Sequence, residues 1–198
     1  MSTDKLPGVT LSEGAAAQGE ESRWYAVRAF RSRVFKIKED FENQGFKAYM
    51  AMRSEKVEEN GHVRRKDVQI VPQLLFVCCP ESKLEAYKNT HLNDLMIYKH
   101  KVVKENGDEA FRPAPIPEKE MELFIFITST GDGKYITYFG DTMPPFEEGE
   151  RVRVVEGIYK GAEGVVKRIK KDRKLLVEMQ GVAVVAISNI PMCYIQKI

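Results

Sequence analysis

Three histidines and three cysteines are the side chains of this 198-residue chain best suited to catalysis or metal binding, and their spacing supports neither. His62, His91 and His100 are scattered, whereas metal-binding pairs recur within a few residues of one another. Cys78 and Cys79 are adjacent and Cys193 is distant, which fits neither a disulfide framework nor a C-x-x-C ligand pair, so buried, reduced thiols are expected. No nucleophile–base arrangement and no glycine-rich phosphate loop stands in the chain. The sequence thus predicts no catalytic residue, no metal ligand, no cofactor and no enzyme.

The residues that do cluster are cations. Arg28, Arg31, Arg33, Lys36 and Lys38 fall within eleven residues, with no acid before Glu39. Such a run either presents charge to a nucleic-acid backbone or is a solvated helix face, and both readings fit the residues. Arg64, Arg65 and Lys66 are diluted by Glu55, Glu58, Glu59 and Asp67 and read as charge guarding a hairpin edge.

The elements that carry these residues follow from the apolar period. Trp24 to Phe30 is aromatic and β-branched and reads as a strand; Val34, Ile37, Lys38 and Phe41 follow at helical spacing, and Gly45 supplies a stop. Met50 to Val57 and Val63 to Val71 flank the Glu58-Glu59-Asn60-Gly61 turn as a hairpin. After Pro72, Leu74 to Cys79 is a strand, Pro80 to Tyr87 opens a helix, and Met96 to Val103 is a further strand. Asn106-Gly107-Asp108 turns the chain, and Pro113, Pro115 and Pro117 lead into a helix from Glu118 to Ile127. Strands alternating with helices over 23–128 predict an α/β sandwich, an antiparallel or mixed sheet flanked by helices.

Residues 129–146, rich in Gly, Thr, Asp and Pro, read as a linker. From 147 to 198 the pattern is all strand: Arg151 to Val154 alternates, Val165, Val166 and Ile169 precede a charged turn at Lys170 to Lys174, and Leu175 to Val177 and Val182 to Ile187 follow. So few strands bury their apolar sides only by curling into a small β-barrel, which makes the whole chain α+β.

Lys and Arg number 31 against 29 Asp and Glu, a net of +2 that excludes a strongly basic coating protein and leaves the partner unnamed by charge alone. The first 22 residues hold Lys5 against Asp4, Glu13, Glu20 and Glu21, a net of −3, so the remainder carries +5. They lack the apolar core of a secretory signal and read as a disordered tail of a cytoplasmic protein. The longest apolar runs, Leu74 to Cys79 and Val182 to Ile187, are six residues each, against the roughly 20 of a membrane-spanning helix, so no membrane contact is expected.

Two segments resemble something specific. Gly149 to Val166, GERVRVVEGIYKGAEGVV, is similar to a KOW motif: an alternating strand, a glycine–aromatic–glycine loop, then glycine followed by valines. Gly157 and Gly161 are placed where φ is positive or backbones come close, and Gly164 where the second strand starts tight against the first. The N-terminal unit resembles the domain that precedes KOW in the NusG family of transcription elongation factors, the NGN domain. Trp24-Tyr25-Ala26-Val27 before a basic helix, a hairpin, Pro72 before a strand ending in Phe76-Val77, and Arg112-Pro113-Ala114-Pro115-Ile116 before the last helix stand in the family's order. The family's usual Phe-Pro-Gly-Tyr is here Val71-Pro72-Gln73-Leu74, a departure that resembles the specialised antiterminators of surface-polysaccharide operons, the RfaH and UpxY types.

The resemblance implies that the first domain binds the clamp helices of RNA polymerase and suppresses pausing, with Trp24, Tyr25, Val27, Val71 and Phe76 at the matching positions. The other reading of the five is sheet core, which suits Val27 and Phe76 best, whereas Tyr25 and Val71, next to the departing motif, read first as contacts. It also implies that Arg28, Arg31, Arg33 and Lys36 approach non-template DNA or nascent RNA. Ile158 and Tyr159, expected exposed at a loop tip, are the candidates for a ribosomal protein or termination factor on the KOW domain; a loop folded over the barrel mouth is the other reading. A monomer is expected, with the KOW segment staying a barrel because Val182 to Ile187 is too β-branched for a helix. The alternatives are the housekeeping elongation and termination factor of the same family and a ribosome-associated KOW protein that binds RNA.

Overall fold

Seven residues, Arg23–Ala29, set the architecture in the computed structural model, which describes residues 20–30, 32–59, 62–103, 107–130, 135–138, 149–169, 172–179, 182–188 and 190–198. This strand, β1, is paired along both edges and packed on both faces. Its period of two sends Trp24 and Ala26 into one apolar cluster and Tyr25, Val27 and Ala29 into another. One edge pairs with β5 (Leu74–Cys79), and the other with β6 (Leu95–Ile97) and β9 (Pro115–Ile116). Beyond β5 lies β2 (Lys47–Tyr49), and every pairing in this five-stranded sheet is antiparallel.

Helices cover both faces. Val34, Ile37 and Phe41 of α1 (Val34–Asn43) and Leu84 and Tyr87 of α2 (Glu81–Thr90) pack on Tyr25, Val27, Leu75 and Val77. Gly45, at φ +82°, ends α1 as expected: its N–H donates to Glu42 O (2.9 Å) and that of Phe46 to Phe41 O (3.0 Å), the paired bonds of a Schellman turn. On the opposite face Met121, Phe124 and Ile127 of α3 (Glu118–Ser129) pack on Trp24, Leu74 and Phe76, with the Phe76 and Phe124 rings 5.0 Å apart. At the end of α3, Thr128, Ser129 and Thr130 turn their hydroxyls back onto the carbonyls of Phe124, Ile125 and Phe126, and the Thr130 N–H also donates to Phe126 O (3.1 Å).

Two hairpins stand apart from this sheet. The expected one is β3 (Met52–Glu59) with β4 (His62–Gln69); Asn60 and Gly61 lie outside the described residues. The other corrects the expectation of a single strand from Met96 to Val103. Tyr98 donates its N–H to Ala26 O (3.1 Å) and accepts that of Ala114 (2.9 Å), so the chain leaves the sheet there. It then forms β7 (Lys99–Val103) against β8 (Glu109–Pro113), a strand read from sequence as turn and proline lead-in.

The remaining strands form a six-stranded antiparallel sheet in the order β10 (Ile136–Tyr138), β14 (Ala183–Ser188), β13 (Asp172–Met179), β12 (Glu163–Ile169), β11 (Glu150–Val154), β15 (Ile195–Lys197). β10 falls inside the stretch expected as a linker: Ile136 pairs with Ile187 and is buried against the sheet's apolar side. Val152, Val154, Leu175, Val177, Val185 and Ile187 join that side, while Leu176, Val184 and Ala186 are buried on the other. The buried cluster runs unbroken from Trp24 and Phe76 to Val152 and Leu175, and Lys119, Glu120 and Leu123 of α3 line a groove with Leu176 and Val177. Residues 1–19 lie outside the described set; Glu20, within the expected tail, accepts the N–H of Ser82 (3.2 Å) in the first turn of α2, and the Ser82 side chain first, then that N–H, lower the pKa of its carboxyl. The described residues thus make a mixed α/β fold of three α-helices and antiparallel strands.

The Val71-Pro72-Gln73-Leu74 turn that feeds β5 places Gln73 at φ +65°, a left-handed conformation that disfavours any side chain. Its ends are held by Leu74 N–H to Val71 O (3.4 Å) and Ala29 N–H to Gln73 O (2.8 Å). Gln73→Gly is expected to stabilise the protein by ~1 kcal/mol in urea unfolding, whereas an unchanged midpoint would show that the turn carries no strain.

Candidate interaction surfaces

The five residues matched to polymerase contact are all interior; none is more than 6% exposed. Trp24, Val71 and Phe76 come together on the α3 side of the sheet, and Tyr25 and Val27 lie on the α1/α2 side. Neighbours along a strand point to opposite faces, so Trp24 and Tyr25 are divided by the sheet itself and the five share no one surface. Burial raises the Tyr25 phenol to about 12, as expected of an interior ring.

The cationic run divides as well. Arg28 is half-buried, and its guanidinium lies 6.0 Å from the centroid of the Tyr98 ring. Arg33, just before α1, is ion-paired with Asp94 at 2.9 Å, and Lys38 with Glu42 at 2.5 Å one helical turn away. Lys36 is exposed on the groove between α1 and α2, beside Lys83 and His91. In the same groove the Tyr87 hydroxyl donates to Asp40 (2.7 Å) and its ring stacks on His91 at 4.2 Å; burial, then the Asp40 bond, pushes that phenol strongly upward. Arg31 lies outside the described residues.

The sequence reading missed an apolar groove of about 680 Å³ between β6 and the β7–β8 hairpin. Phe30, Met96 and Phe111 line it at 37%, 42% and 65% exposure, with Tyr98, Lys88 and Lys99 around them. The sequence signal for it is Phe111 between Ala110 and Arg112, which Pro113 and Pro115 mask as a strand.

In the second sheet the glycine loop has the expected backbone: Gly157 and Gly161 sit at φ +85° and +93°. Gly161 N–H donates to Val154 O (2.7 Å), closing the loop. Two expectations are corrected here. Ile158 is 60% exposed, but Tyr159 is only 6% exposed and belongs to the core. Gly164 is indeed tightly approached, yet by β13 and not β11, since a Cβ there would lie 2.3 Å from Leu176 O. Among the thiols, Cys79 is buried and pushed up to about 12 by desolvation, Cys78 is half-buried, and Cys193 is exposed against expectation.

A family profile described as transcription termination factor nusG matches residues 22–125, from β1 into α3. The chain belongs to the NusG family. Among solved structures it is similar to Thermotoga maritima NusG, from a study of domain interaction in that protein, at 17% identity and TM-score 0.45 over 90% of this chain and 98% of that one. It is also similar to a chain of the MjSpt4:Spt5 complex at 12% identity and TM-score 0.27, over 88% of this chain and 96% of that one. No curated protein matches it by sequence.

The two loop-tip residues are expected to separate cleanly. Tyr159→Ala should cost ~3 kcal/mol by opening the core, and Ile158→Ala should stay within about 0.5 kcal/mol. Equal losses in urea unfolding would contradict the assignment of one to the core and the other to the surface.

Proposed function

We propose that this chain is a specialised transcription elongation and antitermination factor, similar to the RfaH and UpxY types, that binds the clamp helices of RNA polymerase and suppresses pausing and termination at a surface-polysaccharide operon. The observation that carries the reading is the family match across residues 22–125, which spans the first sheet, its three helices and both hairpins. In this reading 23–128 is the NGN domain, 129–146 the connection and 147–198 the KOW domain. The protein is a cytoplasmic monomer that acts without cofactor or catalysis; among the described residues no helix is long and apolar enough to cross a membrane.

The buried set at Trp24, Val71 and Phe76 serves polymerase binding by fixing the position of α3 and the sheet rim, and Tyr25 and Val27 serve it from the opposite layer by holding α1 and α2. The binding energy then comes from apolar groups at the rim, as in other helix-in-groove contacts. Lys36 and Arg33 at the α1 end, with Arg31, approach the exposed non-template strand or nascent RNA through its phosphates, and Arg28 does so from the other face of β1. Ile158 is the contact for a ribosomal protein or termination factor on the KOW domain. The specialised reading draws on the departure from the family's usual Phe-Pro-Gly-Tyr at Val71-Pro72-Gln73-Leu74, where Gln73 stands at φ +65°.

Purified RNA polymerase is expected to be retained by the immobilised full chain, and Lys36→Glu to leave that retention intact while weakening association with nucleic acid and making its salt dependence shallower by about one unit. Chromosomal occupancy should concentrate on one operon. Occupancy across most transcribed genes would instead support the housekeeping elongation and termination factor, and failure to retain polymerase, with RNA binding preserved, the ribosome-associated protein.

A further inference from the structure

Apolar packing holds a helix on a sheet without fixing its rotation, because burial has no direction. Met121, Phe124 and Ile127 hold α3 in this way, and α3 also meets β13 of the second sheet. At its start the helix is fixed by backbone, since Pro115 and Ile116 just before it pair with β1. At its far end one polar tie does the same. Thr128 is the one buried polar or charged residue among the described residues, and its Oγ1 lies 2.6 Å from the Tyr49 hydroxyl on β2. The Thr128 proton goes to Phe124 O (2.7 Å), so Tyr49 donates and Thr128 Oγ1 accepts, a two-bond relay from the sheet edge to the helix backbone. Tyr49 pairs with Phe76 in the β2–β5 register and meets the Phe124 ring edge-on at 6.3 Å, so the relay sits beside the aromatic contact that joins α3 to the sheet. Burial raises the Tyr49 phenol against the opposing Thr128 bond, so it keeps the proton it donates.

We infer that Tyr49 and Thr128 are positioning residues: their hydrogen bond fixes the rotation of α3, and through it the outer face that the helix offers to RNA polymerase. That face carries Glu122 and Phe126, one turn apart and both exposed, and a rotation of the helix would exchange them for the half-buried Leu123 and Ile125. A neutral hydrogen bond adds little net stability, yet it is directional and has one geometry, whereas the ring contacts tolerate several. Phe and Val at the two positions would fill the same space. A satisfied polar pair in an apolar layer differs from them in excluding other arrangements. The inference rests on the proposed binding of polymerase and adds to it two residues that act only through the helix.

The test measures polymerase retention by the immobilised full chain beside urea unfolding of the same variants. Tyr49→Phe is expected to weaken polymerase affinity about fivefold, the factor of one neutral hydrogen bond, because fewer molecules hold the binding-competent helix. Thr128→Ser keeps the hydroxyl and is expected to retain wild-type affinity. Thr128→Val strands the Tyr49 hydroxyl and is expected to unfold at lower urea; adding Tyr49→Phe removes the stranded group and should restore the midpoint but not the affinity. Amide hydrogen exchange, read without polymerase, is expected to quicken about fivefold in Tyr49→Phe over the last turn of α3 and to stay unchanged over its first turn. Affinity that follows the unfolding midpoint across these variants overturns the positioning role and leaves a purely structural pair. Unchanged exchange in Tyr49→Phe overturns the tie itself. Unchanged affinity in Tyr49→Phe, by a chain that retains polymerase, overturns the inference and leaves the proposed function intact. A wild-type chain that fails to retain polymerase overturns the proposed function and this inference with it, whatever the exchange shows.

Discussion

A strand paired on both edges and packed on both faces is the constraint on which the first half of the molecule depends. β1 has β5 on one side and β6 and β9 on the other, with α3 below and α1 and α2 above. Interior side chains such as Val27, Phe76 and Phe124 each contribute roughly 1.5–3 kcal/mol by leaving water. Because so much of this sheet is core, contact with partners must come from its rims, from the hairpins and from the helix surfaces. The conformation at Gln73 belongs to the same constraint: Ala29 at the end of β1 bonds to the turn that starts β5, so a left-handed residue is held where the two central strands meet.

Much of this was legible in the residues. The helical spacing of Val34, Ile37 and Phe41, the stop at Gly45 and the β3–β4 hairpin all follow from local chemistry that the tertiary structure does not override. The loop from Gly157 to Gly161 was legible for the same reason, since positive φ is a local demand. What was lost depended on long-range partners. Tyr98 interrupts a continuous-looking strand only because Ala26 and Ala114 bond to it from elsewhere in the chain. Ile136, in a segment that reads as linker, becomes a strand because β14 offers an edge. Tyr159 has the composition of an exposed loop tip, and its burial is decided by the sheet beneath it. The separation of Trp24 from Tyr25, by contrast, was available from the period of a strand.

Function follows this division of labour. The buried residues that carry the family resemblance define the scaffold; in the proposed reading partners meet charge and exposed apolar groups outside it, Lys36 in the α1–α2 groove and Ile158 on the second sheet. The second sheet is not isolated from the first, for its buried face continues into the cluster under α3. A partner that displaces either sheet from α3 must therefore replace apolar contacts, which couples whatever binds one part to the exposure of the other.

The central claim, that this NusG-family chain acts on a transcribing polymerase, is tested most directly by the lifetime of a defined pause. A purified elongation complex of the cognate RNA polymerase, halted at one pause site and released with and without the full chain, gives that lifetime directly. The account predicts a shorter lifetime in the presence of the protein, saturating with its concentration. A lifetime unchanged at concentrations that saturate polymerase binding would contradict it.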